Sequence, residues 1–171
     1  ALSSLPEDRH RITRLRILFC SDNRFSEVPA CLGQCLQLSM IGFKANRIER
    51  VPAAALPPQL RWLILTDNRI AELPEELGQR PLLQKLMLAG NRLTRLPESL
   101  GQCHRLELLR IAANRLTELP PFLLALPRLT WLAYAGNPLE SEADATALAS
   151  TPSIPWSELT LEQRLGEGAS G

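Results

Sequence analysis

Apolar residues recur along this chain on a register of about 23 positions. Six asparagines mark it: Asn23, Asn46, Asn68, Asn91, Asn114 and Asn137, separated by 23, 22, 23, 23 and 23 residues. A fixed period of this length marks a repeat array. Eight residues before each Asn stands a leucine: Leu15, Leu38, Leu60, Leu83, Leu106 and Leu129. Five before stand Leu18, Ile41, Leu63, Leu86, Leu109 and Leu132, and three before stand Cys20, Phe43, Leu65, Leu88, Ile111 and Tyr134. Two after stand Phe25, Ile48, Ile70, Leu93, Leu116 and Leu139. A Val-Pro or Leu-Pro pair follows in five repeats, at Pro29, Pro52, Pro74, Pro97 and Pro120. Two apolar positions flanking one residue have a period of two, which predicts a short strand with one buried face. One such strand per repeat, always in one direction, predicts a parallel sheet. The Asn falls where the chain must turn, and its amide can both donate and accept there. The proline breaks any second ladder, so the far side is expected to be irregular or short-helical.

These columns resemble the leucine-rich repeat, L-x-x-L-x-L-x-x-N-x-L-x-x-L-P, over residues 1–139. The resemblance implies an α/β solenoid, right-handed, with one parallel strand per repeat on the concave face. It also implies an asparagine ladder between turns. The register places Leu2 and Leu5 in the tail of a partial repeat before Asn23. An uncapped apolar edge there would favour self-association. After Asn137 the pattern stops. Residues 141–149 combine an N-cap signal with helix formers and predict a short capping helix. Pro152 and Pro155 mark a linker, so 140–155 reads as cap and linker.

Residues 156–171 differ again. Gly166, Gly168 and Gly171 form G-x-G-x-x-G after the alternating Leu159, Leu161 and Leu165. Such glycines let backbone N–H groups approach phosphates. Trp156 and these residues resemble the first strand and Gly-rich loop of a protein kinase. Together with the repeats, they resemble the bacterial leucine-rich-repeat protein kinase family. That resemblance implies a serine/threonine kinase using ATP and Mg, with Gly166, Gly168 and Gly171 over the phosphates in the intact domain. Residues 1–171 contain no strand-three Lys, catalytic-loop Asp or metal-binding Asp after that loop, so this segment is expected to have no catalysis and no cofactor of its own.

The net charge of +1 argues against a general nucleic-acid or acidic-membrane binder. No transmembrane run is visible. The four cysteines could suggest disulfides, but Cys20, Cys35 and Cys103 fall on inward registers, as small hydrophobes do. Cys31 has no such assignment. No Asn-x-Ser/Thr sequon occurs, and a cytoplasmic location is expected. His10 and His104 are isolated, and no catalytic set recurs at one locus.

Function is therefore sought on the outward strand positions. Six before the Asn stand Ile17, Met40, Trp62, Lys85, Leu108 and Trp131; four before stand Phe19, Gly42, Ile64, Met87, Arg110 and Ala133. Two before, Ser21, Lys44, Thr66, Ala89, Ala112 and Ala135 are mostly small. A contiguous apolar stripe is an interaction signal. Ile17, Phe19, Met40, Trp62, Ile64, Met87, Leu108, Arg110 and Trp131 are the candidate contacts for a protein or peptide, or for the protein's own kinase domain. A stand-alone scaffold or a secreted effector is the remaining alternative. Arg24, Arg47, Arg69, Arg92 and Arg115 follow the asparagines, with Glu27, Glu72 and Glu118 three residues later. This flank reads as solvated ion pairs of little energetic value.

Overall fold

Each leucine-rich stretch forms a three-residue strand: β1 (Ile17–Phe19), β2 (Met40–Gly42), β3 (Trp62–Ile64), β4 (Lys85–Met87), β5 (Leu108–Arg110) and β6 (Trp131–Ala133). The computed structural model describes residues 1–5 and 13–139, all inside one compact unit, Ala1–Glu140. The strands pair in sequence order, all parallel, as one six-stranded sheet. Equivalent residues are partners throughout: Leu18 with Ile41, Leu63 with Leu86, Leu109 with Leu132. The Asn period thus sets the sheet register directly.

Each strand is centred on the first apolar residue of the pair, so it begins one residue before the Leu-x-Leu stretch. The second apolar residue still bonds across: Phe43 donates to the Ile64 carbonyl (2.8 Å) and Leu88 to that of Arg110 (2.7 Å). Ile41, Leu63, Leu86 and Leu109 are completely buried. Burial of each such side chain is worth roughly 1.5–3 kcal/mol. Phe25 and Phe43 close the core near the first turns, edge to face with centroids 5.0 Å apart.

The proline side is short-helical, as expected. Four 3-10 helices, η1 (Ala30–Gln34), η2 (Ala53–Ala55), η3 (Glu75–Gln79) and η4 (Glu98–Gln102), are followed by one α-helical turn, α1 (Phe122–Ala125). Each opens on a proline carbonyl. Those of Pro29, Pro52, Pro74, Pro97 and Pro120 accept from Leu32, Ala55, Leu77, Leu100 and Leu123. Neighbouring helices pack closely. A Cβ at Gly78 would collide with the Ser99 carbonyl, so the small residue in the Leu-Gly-Gln idiom sets the spacing.

The inward columns fade at the ends. Tyr134, expected inside, is 44% exposed, and Leu15, Leu18, Leu129 and Leu132 are half-buried against the core. A repeat gains full burial only between two others. The capping helix, the linker and the glycine-rich segment fall at 140–171, outside the described residues, as do His10 and Ile12.

Candidate functional site

The turn after each strand is built from two adjacent residues. The residue before every Asn has a left-handed backbone: Asp22, Ala45, Asp67, Gly90, Ala113 and Gly136, with φ between 51° and 75°. This conformation swings the Asn side chain inward. Asn91 Oδ1 accepts from the Ile70 N–H of the preceding turn at 3.0 Å. Its Nδ2 donates to the Leu65 carbonyl of that turn and to Leu88 of its own, both at 2.9 Å. Asn46, Asn68, Asn114 and Asn137 repeat the pattern. The ladder that the resemblance implied is therefore present, and it runs from side chain to backbone. Asn23 Oδ1 accepts from the Leu2 N–H, which fixes Leu2 at the register position predicted for it.

With the asparagines occupied by structure, the sheet's outward face is left to bear contacts. Its nine candidate residues do lie side by side. Register places Ile17, Met40, Trp62, Lys85, Leu108 and Trp131 in one row. Phe19, Gly42, Ile64, Met87, Arg110 and Ala133 form the next. Their exposure is uneven. Ile17, Phe19 and Trp131 are 50%, 53% and 62% exposed, whereas Met40, Trp62, Ile64, Met87 and Leu108 are half-buried. Two side-chain contacts cross the strands on this face, one in the middle and one at the β1–β2 end. The Lys85 ammonium sits 4.0 Å from the Trp62 ring centroid, a cation–π contact that covers one aromatic face. The Phe19 ring occupies the space that a Cβ at Gly42 would need. The expected continuous stripe is therefore corrected to two exposed apolar ends around a half-covered, cation-bearing centre. Sequence spacing could not show this, since it gives the row and not the rotamer.

The charged flank also differs from expectation. Among the described residues the ion pair is Arg69–Glu49, at 3.8 Å between exposed groups. Glu27, Glu72 and Glu118 do not pair with the arginine column. Glu27 and Arg50 meet through their backbones as a parallel bridge.

The cysteines carry no exposed reactive thiol at this face. Cys20, Cys35 and Cys103 are buried, Cys31 is half-buried within η1, and none of the four forms a disulfide. Burial raises the thiol pKa of Cys20, and burial with the neighbouring Cys31 raises that of Cys35. Burial pushes Cys103 up to about 11. Its Sγ lies 3.6 Å from the Leu77 carbonyl. Across the proline side, the Ser99 side chain and then its backbone N–H hold the Glu75 carboxyl below its ordinary value. The hydroxyl's closest contact is the Glu75 carbonyl oxygen, at 2.6 Å, so the N–H, at 3.1 Å, is the bond the carboxylate keeps. Among the described residues no three His, Cys, Asp or Glu are grouped to hold a metal, and no helix is long and apolar enough to cross a membrane.

Residues 58–116 match the leucine-rich repeat family. Solved structures with the same fold include the ectodomain of the receptor kinase SOBIR1 from Arabidopsis thaliana. It is 22% identical, with a TM-score of 0.62, over 71% of this chain and 70% of that one. A leucine-rich-repeat protein of Leptospira interrogans is 22% identical (TM-score 0.64) over 86% of this chain and 50% of its own. The internalin InlF from Listeria monocytogenes is 24% identical (TM-score 0.62), over 72% and 36% respectively. This chain thus spans half or less of the latter two. The parallel sheet, the proline-led helices, the asparagine ladder and these matches give the described residues the leucine-rich-repeat solenoid fold.

Proposed function

We propose that the array is a docking module for a protein or peptide, and that the outward face of the sheet is its contact surface. One observation carries this reading: Ile17, Phe19 and Trp131 remain at least half exposed on a single face. Large apolar groups gathered on one face mark interaction surfaces, and aromatic residues supply much of the energy there. The opposite side of each turn is consumed by the ladder. Loss of binding should follow Phe19→Ala and Trp131→Ala, each weakening a partner about tenfold. Arg92→Ala, off the sheet face, should leave affinity unchanged. Equal affinity in all three variants would remove the sheet face from consideration.

We further propose that this module belongs to a cytoplasmic serine/threonine protein kinase, with the repeats docking a partner or the kinase domain itself. Support comes from Gly166, Gly168 and Gly171 behind an alternating apolar run. ATP and Mg would belong to the intact kinase domain. The sequence after Gly171 tests this: a Val two residues on, then Val-Ala-x-Lys, is expected. A continuation without that lysine strand would leave the scaffold reading.

A further inference from the structure

The outward face is cationic as well as apolar. Between residues 13 and 139, 16 Lys and Arg stand against 10 Asp and Glu. The excess is visible on the sheet. Its outward rows and the small-residue row beside them carry Lys44, Lys85 and Arg110, and no Asp or Glu. Arg16 and Arg61 add two exposed cations at the position just before β1 and β3. The opposing charges are Glu107, in the equivalent position before β5, and Asp22 and Asp67 on the turns. None of these acids lies within ion-pair distance of a cation on the face.

Apolar and charged groups meet at one place in particular. An open depression of about 550 Å³ beside β2 and β3 is lined by Leu36, Met40 and Arg61, among others. Leu36 is 67% exposed. This depression brings two apolar side chains, Leu36 and Met40, together with the Arg61 guanidinium and the polar Gln37, Ser39 and Gln59.

We propose that the module selects an acidic peptide segment with apolar or aromatic anchors; the proposal rests on the docking reading above. Exposed cations with no ion-paired acid among the described residues gain most from a partner that brings carboxylates, and the same pattern repels basic segments. Carboxylates would meet Lys44, Arg61 and Arg110. Apolar anchors would meet Phe19, the Leu36–Met40 depression and Trp131. Six strands at about 4.8 Å spacing make the sheet roughly 24 Å across. At about 3.3 Å per residue, seven or eight extended residues span it.

The test uses the full chain and three synthetic decapeptides sharing two Leu and one Trp. Their remaining positions alternate Ser with Glu, Gln or Lys. Affinity is measured calorimetrically at low and physiological salt. The Glu peptide should bind at least tenfold tighter than the Gln peptide, and the Lys peptide should not bind. Lys44→Glu with Arg110→Glu should reverse that order. Equal affinity for the Glu and Gln peptides would overturn the charge inference while leaving apolar docking intact. Binding of none of the three would overturn the inference, and the Phe19 and Trp131 variants would then judge the docking reading separately. If a Trp- and Leu-free Glu peptide, or a single-stranded oligonucleotide, bound as tightly as the Glu peptide, the face would be an unselective polyanion strip. That result would also overturn the proposal.

Discussion

Asn91 and Asn23 hold the same place in their repeats, yet they work in different surroundings. Asn91 is 8% exposed and bridges two turns with three hydrogen bonds. Asn23 is half-exposed; its oxygen accepts from Leu2 and its nitrogen donates to Ser21. The sequence period gives both residues one role. Neighbouring turns decide what that role is worth, because a hydrogen bond gains value as water is excluded from the groups it satisfies.

Substitution at the two positions should separate role from surroundings. Asn91→Ala would orphan the Ile70 N–H and remove one of the donors to Leu65 and to Leu88. The buried orphan, with the lost bonds, should cost about 3 kcal/mol. Asn23→Ala should cost under about 1 kcal/mol, since water can replace the amide. Urea denaturation of the two variants checks this; equal losses would mean that burial does not grade the ladder. Next in size is the residue before the Asn. Gly90→Ala places a side chain at φ 69° and a Cβ 2.5 Å from Asp67 Oδ1, which should cost about 1–3 kcal/mol. Ala113 already bears that strain, at φ 51°. Ala113→Gly should therefore stabilise, by roughly 0.5–1 kcal/mol after glycine's greater unfolded freedom is deducted. A destabilised Ala113→Gly would show that the strain argument fails there.

These pairs also show how far the sequence could be read. The spacing of leucines and asparagines was enough to place all six strands and the outward rows, because each column is set by chain periodicity alone. The proline pairs were enough to place the short helices. The left-handed residue escaped notice, since Asp, Ala and Gly share no side-chain signal; the backbone, not the residue type, repeats there. Lys85 over Trp62 and Phe19 over Gly42 were likewise invisible. They depend on how long side chains lean across neighbouring strands. The Arg69–Glu49 pair links adjacent repeats, where sequence counting had looked within one.

The smallest expected effect lies on the proline side, where Glu75 of η3 and Ser99 of η4 link two turns in full contact with water. The Glu75 carboxyl titrates below its ordinary value of 4.5 because Ser99 hydrogen-bonds to it. A depressed folded pKa stabilises the protein above the unfolded value, and that contribution disappears as pH falls through the folded one. Glu75→Gln should therefore lower the urea midpoint slightly at pH 7 and leave it equal to wild type once the pH has fallen below the folded Glu75 pKa and the carboxyl is protonated. Ser99→Ala removes the hydroxyl but keeps the N–H bond to the carboxylate, so the Glu75 pKa should rise only part of the way towards its ordinary value, read from the carboxyl carbon shift by NMR. An acid-independent difference between Glu75→Gln and wild type would assign the link to packing. The buried asparagine bridge contains no titrating group, so the stability gap between Asn91→Ala and wild type should stay constant across this acidic range while the Glu75 gap closes.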